Sequence, residues 1–126
     1  MKLADYIGVP FEQLDCYALV RDIYKTQHNI NLVDPNIRHD ENYKIFANFA
    51  VEISSNWVKC KPKKGAVVAL KYHPLHPKIV THFGYCIDDK KFIHTLEETG
   101  AILEDLKKYA HIIEGFYAYE PNCNAQ

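Results

Sequence analysis

VTHFGYCIDDKKFIHTL, residues 80–96, decides the fold. Two β-rich runs, Val80–Asp88 and Lys91–Leu96, flank a short polar turn around Asp88–Lys90, the pattern of a β-hairpin. Each run carries one histidine, His82 and His94, twelve residues apart. Side chains alternate along a strand, so the length of the turn decides whether the two imidazoles share a face. A two-residue turn at Asp89–Lys90 sets them on opposite faces. A loop of three or five residues makes them direct or diagonal neighbours on one face, and the odd length is expected here.

Outward from this hairpin the second half continues as strands. Ala66–Tyr72, Ala101–Leu106 and Ile112–Tyr119 are β-rich, and turn-forming residues lie at His73–Pro77 and Thr99–Gly100. The first half differs. Gly8 and Pro10 interrupt residues 1–12, and Asp15 is a fitting N-cap for a helix that runs to about Gln27. Cys16, Leu19, Val20 and Ile23 recur at one face of a 3.6-residue period. His28–His39, with Pro35 and several asparagines, reads as a connection. A second helix is expected from about Asp40 to Trp57, with Tyr43, Phe46, Ala50, Ile53 and Trp57 along its inner side. Helices followed by a strand meander predict an α+β fold, with N-terminal helices packed on a C-terminal antiparallel sheet. No repeat or linker divides the chain, so residues 1–126 are expected to form one domain.

Composition excludes several classes of function. The 126 residues are 48% apolar and 25% charged, values of an ordinary globular domain. Fifteen Lys and Arg against sixteen Asp and Glu give a net charge of −1, which argues against a nucleic-acid partner. The basic run Lys59, Lys61, Lys63 and Lys64 fits a solvated turn. No apolar run approaches the ~20 residues of a membrane span. The opening MKLADYIGVPFEQLDC has no apolar core of signal-peptide length, and a soluble chain without a secretion signal of its own is expected. Cys16, Cys60, Cys86 and Cys123 form no CxxC pair and are expected to be reduced.

Cys16 is the thiol with chemical promise. It follows the expected N-cap, where the helix dipole and unpaired N–H groups favour a thiolate. His82 and His94 are the bases that a neighbouring sheet could bring to it. A buried cysteine on an apolar helix face is more often plain core, so spacing alone leaves both readings open. A metal site built from His73, His76 and His82 with Cys60 or Cys86 is the second chemical possibility. The HPLHP loop around His73 and His76 lacks zinc-ligand spacing, and no metal or other cofactor is expected.

GVPFEQLDCYALVRDIYKTQHNINLVD (8–34) resembles the opening of the NlpC/p60 cell-wall peptidases, in which a Gly-x-Pro-aromatic segment leads to Asp-Cys at a helix start. THFGYCIDDKKFIHTLEETGAILEDL (81–106) is similar to that family's His-x-Gly strand, hairpin and second histidine. IIEGFYAY (112–119) resembles the closing strand of the phage-tail branch. The resemblance implies a papain-like fold, with Cys16 as nucleophile, His82 as general base and His94 as the orienting third member. It implies the peptidoglycan stem peptide as substrate, cut between D-γ-glutamate and meso-diaminopimelate. It further implies a place in the virion, at the phage tail, with tail-tip proteins as partners. A structural tail-tip or tail-assembly part without hydrolysis is the alternative. Many members carry Tyr where Phe11 stands here, and Tyr6 and Tyr17 are the nearby tyrosines that could supply its hydroxyl.

Overall fold

The computed structural model describes residues 2–121, so Cys123 lies outside the described residues. The chain runs through a 3₁₀ turn (Leu3–Tyr6), α1 (Cys16–His28), α2 (Asn42–Ser55), β1 (Trp57–Cys60), β2 (Val67–Leu70), β3 (His82–Cys86), β4 (Lys91–Leu96) and β5 (Gly100–Asp105). A second 3₁₀ turn (Leu106–Tyr109) and β6 (Ile113–Tyr119) complete it. The strands form one six-stranded antiparallel sheet in the order β1-β6-β2-β3-β4-β5. This is the expected α+β architecture, with both helices preceding the strands that carry the histidines. No helix among the described residues is long and apolar enough to cross a membrane.

Helix α1 starts where its cap allows. The Asp15 carboxylate accepts from the Ala18 N–H at 3.0 Å and satisfies one of the first-turn donors. At the other end Asn29 adopts a left-handed conformation (φ 55°), and the Ile30 N–H reaches back to the Tyr24 carbonyl. The stripe Cys16, Leu19, Val20, Ile23 is buried as its period demands, and α1 lies against β3 and β4. Alternation along the strands sends Val67, Ala69, Phe83, Tyr85 and Ile93 to this helix side. It sends Val68, Leu70, Cys86 and Phe92 to the opposite face, under Leu106 and Tyr109. Both faces of β2 are therefore covered, and all four of its residues, VVAL, are buried.

Three expectations need correction. The second helix stops at Ser55, and Trp57 opens β1, where it pairs with Tyr119. The face of α2 turned inward is that of Phe49, whose ring meets Phe83 and Tyr117 with centroids 5.7 and 5.6 Å away. Tyr43, Phe46 and Ala50 consequently face solvent. Leu106 belongs to the 3₁₀ turn, not to the end of a strand.

The N-terminal segment is held on the edge of the sheet. Gly8 N–H donates to the Ala101 carbonyl at 2.8 Å, and Ala101 N–H donates to the Val9 carbonyl at 2.9 Å. The close approach needs a glycine at 100, where φ is +70° and a Cβ would lie 2.6 Å from the Val9 oxygen. Beyond this clamp, Phe11 lines a cavity with His82 and Thr95, residues near the ends of β3 and β4.

Candidate active site

Cys16 is the first residue of α1 and only 5% exposed. Burial pushes its thiol up to about 12, and the neighbouring Asp15 charge adds to the rise. Backbone N–H groups of Phe83, Tyr17 and Cys16 itself bear on the sulfur and oppose that shift without overcoming it. Cys16 and Phe83, the residue that follows His82 on β3, line one cleft.

The hairpin has the odd loop. Ladder pairs Tyr85↔Ile93 and Cys86↔Phe92 are followed by an Ile87 N–H to Lys91 carbonyl bond, leaving Asp88, Asp89 and Lys90 as the loop. The Asp88 carboxylate accepts from the Lys90 and Lys91 N–H groups, both at 2.8 Å, and shapes that turn. Extended along the strands, this register sets His94 opposite Gly84, so His82 is its diagonal neighbour on the same face. The β3–β4 ladder stops at Tyr85, and beyond it the two imidazoles link the strands. His82 Nε2 lies 2.8 Å from His94 Nδ1.

Both rings are buried, His82 to 5% exposure and His94 to zero. Burial, together with the neighbouring His94, lowers the His82 pKa to about 3. Burial also lowers His94, against the pull of Glu104. His94 Nε2 lies 2.8 Å from Glu104 Oε1, which also accepts from the Tyr109 hydroxyl at 2.7 Å. Glu104 Oε2 accepts from Lys108 Nζ at 2.5 Å. Burial raises the Glu104 pKa, but the hydrogen bonds from Lys108, Tyr109 and His94 outweigh it and hold the carboxyl down at about 2.

Cys16 and His82 line one cavity of about 230 Å³, together with Phe11, Tyr72, Thr95 and Glu97. The Tyr72 ring lies against His82 with centroids 4.9 Å apart. Thr95 is fully buried, and its hydroxyl has no protein hydrogen-bond partner. A second cleft of about 350 Å³ reaches Cys16 from the α2 side, past Tyr17, Phe49, Phe83 and Arg21. Since His82 Nε2 is committed to His94, the ring's Nδ1 is the nitrogen left to serve the thiol.

The fold thus brings the three sequence-predicted residues to one place. It does not bring Tyr6 there. The Tyr6 hydroxyl is bonded to Asp22 at 2.6 Å and Thr26 at 2.8 Å, midway along α1. Tyr17 lines the α2-side cleft, and Tyr72 is the tyrosine beside His82. His73 and His76 stack on each other in their loop with centroids 5.0 Å apart, and Cys86 lies in the core opposite the helices. Cys16, Cys60 and Cys86 are free thiols, and among the described residues no group of three or more His, Cys, Asp or Glu could hold a metal ion.

Sequence reasoning missed Glu104, Tyr109, Tyr72 and Thr95. A signal for Glu104 was present. Once β4 pairs with β5 so that His94 meets Ile102, Glu104 is two residues along on the same face.

No curated protein matches the chain. The pattern of the NlpC/P60 family matches residues 5–113, which include Cys16, both site histidines and Glu104. A match over that share of the chain, on a helix-borne cysteine beside a sheet-borne pair of histidines, places it by family: the chain belongs to NlpC/P60, whose members are cysteine peptidases acting on peptidoglycan.

Proposed function

We propose that Cys16 is the nucleophile, His82 the general base and His94 the residue that orients it, in an endopeptidase that cuts peptidoglycan stem peptides between D-γ-glutamate and meso-diaminopimelate. The observation that carries this reading is the buried Cys16 at the start of α1, in a cavity shared with a His82 ring whose far nitrogen is bonded to His94. In the proposed reaction Cys16 Sγ attacks the γ-carbonyl carbon while His82 Nδ1 takes the thiol proton. The Cys16 N–H, at the start of α1, faces the developing oxyanion. Collapse breaks the C–N bond, and His82 returns the proton to the departing amine. A water then hydrolyses the thioester, again with His82 as base.

The test is mass spectrometry of diaminopimelate-type muropeptides after incubation with the wild-type protein and with Cys16→Ala. An L-Ala–D-Glu fragment that appears only with wild type is the expected result. No cleavage by folded wild-type protein counts against it.

The setting we propose is a phage tail, where local wall cleavage would accompany passage of the tail, with tail-tip proteins as partners. The resemblance of IIEGFYAY to the closing strand of the tail branch supports it. Purified virions that contain the chain, and a Cys16→Ala phage that assembles yet infects poorly, are the expected results. Virions lacking the chain overturn the setting. Normal infection by the variant favours a structural tail part.

A further inference from the structure

We infer that Glu104 is a positioning residue: its carboxylate fixes the tautomers of both imidazoles, so that the bare nitrogen of His82 is the one left for Cys16. This rests on reading His82 as the base.

The hydrogen bonds carry the inference. An ionised carboxylate can only accept. Glu104 is held ionised by Lys108 and by the hydroxyl of Tyr109, so the His94 Nε2 that faces it must carry a hydrogen. A neutral imidazole has one N–H, which leaves His94 Nδ1 as an acceptor. The only way to satisfy the 2.8 Å approach of the two rings is then a proton on His82 Nε2. His82 Nδ1 is consequently bare, which is the state a general base needs. Reverse the chain, with the proton on His94 Nδ1, and His82 must carry its own on Nδ1, where it cannot accept from a thiol. A carboxylate two rings away thereby sets the direction of both hydrogen bonds that lead to His82, the ring that shares a cavity with Cys16.

The same array allows the charge to be followed. When His82 takes a proton it becomes an imidazolium, and the Glu104 negative charge lies at the far side of His94 to balance it. Around the rings stand Tyr72 and Cys16 on the His82 side, with His39, His73, Glu97 and Glu98 further along the same cavity. Lys108 and Tyr109 flank Glu104, and the apolar Phe92 ring packs on His94 at a centroid distance of 4.4 Å. None of the others is bonded to His94, so Glu104 is the group that sets its proton.

The experiment is ¹⁵N spectroscopy of the histidine rings in the full chain at pH 7.5, with signals assigned through His82→Gln and His94→Gln. In the wild type both rings are expected to show a protonated Nε2 and a bare Nδ1. Glu104→Gln, whose amide can donate or accept, is expected to mix in the reversed tautomer. It should lower kcat about tenfold to a hundredfold with KM within twofold, as loss of a tautomer-fixing carboxylate does elsewhere. A proton on His94 Nδ1 in the wild type, or a variant that keeps the wild-type ring pattern or the wild-type kcat, overturns the inference. Should Glu104→Gln not fold, the wild-type spectrum alone decides. The ring spectrum needs no turnover, so an enzyme that proves inactive on muropeptides would sink the peptidase reading and leave the tautomers still measured.

Discussion

The ring of Phe92 occupies the space that a side chain on Gly84 would take. A Cβ built on Gly84 would lie 2.5 Å from Phe92 Cδ2 and 3.2 Å from the Ile93 carbonyl oxygen. Phe92 in turn stacks on His94, with its plane tilted 33° to the imidazole, and meets Tyr109 edge-on. The glycine of the His-x-Gly run therefore serves the second histidine through an aromatic ring, two residues beyond the first.

Gly84→Ala is expected to push Phe92 aside, costing about 1–3 kcal/mol of stability as overpacking does. Activity should fall further than stability, because His94 loses its packing. Gly84→Ala combined with Phe92→Leu should recover part of both. Urea denaturation and muropeptide turnover of the three variants check this, and a single alanine variant with wild-type stability would contradict it.

Asp15 acts on Cys16 in two opposed ways. Its carboxylate caps α1 through the Ala18 N–H, and its charge helps to keep the thiol protonated. Asp15→Asn keeps a good cap and removes the charge, so the pH profile of Cys16 alkylation should move to lower pH by about half a unit to one unit. Asp15→Ala should shift it likewise and also cost about 1 kcal/mol of stability. In the wild type, burial keeps the thiol neutral, so the alkylation rate should climb with pH and show no acid-side plateau of the kind a preformed thiolate–imidazolium pair gives. His82→Ala should label more slowly at pH 7. Equal rates would argue against His82 as base.

Acid should destabilise the fold earlier than carboxylates alone require. His82 is held at about 3 against an ordinary value of 6.5. Between these limits the unfolded chain takes a proton that the folded one refuses. Stability is therefore full above pH 6.5 and is lost as pH falls toward 3, at up to about 1.4 kcal/mol per pH unit for such a group. His94 is lowered in the same direction and adds to the slope. Glu104, held at about 2 against 4.5, contributes stability above pH 4.5 that is lost as pH falls toward 2. Urea midpoints at pH 7.5, 6.0 and 5.0 should already decline, and His82→Gln should flatten that decline. A wild-type midpoint constant over this range would contradict the buried neutral pair.

What could be read in advance was what depends on neighbours in sequence. The Asp15 cap, the apolar stripe from Cys16 to Ile23 and the odd hairpin loop are all local, and period alone places them. Trp57 shows where that fails. It follows Ile53 by four residues and so continues the helical pattern, yet its place is fixed by pairing with Tyr119, sixty-two positions away. Tyr43, Phe46 and Ala50 form an apolar stripe that the periodicity turns inward, whereas the contacts of Phe49 with Phe83 and Tyr117 turn it to solvent. Glu104 has no local pattern that marks it. Only the β4–β5 register and the turn bearing Lys108 and Tyr109 make it the partner of His94.

Thr95 offers a last test, because stability and function should respond oppositely there. It lines the same cavity as Cys16 and His82, fully buried, with a hydroxyl that no protein group satisfies. An unpaired buried hydroxyl costs about 1–3 kcal/mol, and valine has the same shape without it. Thr95→Val should therefore raise stability by about 1 kcal/mol, or about 4 °C in Tm for a domain of this size. If that hydroxyl is kept for the peptide, kcat/KM should fall at the same time, as it does where a site holds polar groups in wait for substrate. Denaturant titration and turnover on one preparation measure both. A loss of stability would show instead that a bound water completes the hydroxyl, and would make Thr95 part of the scaffold.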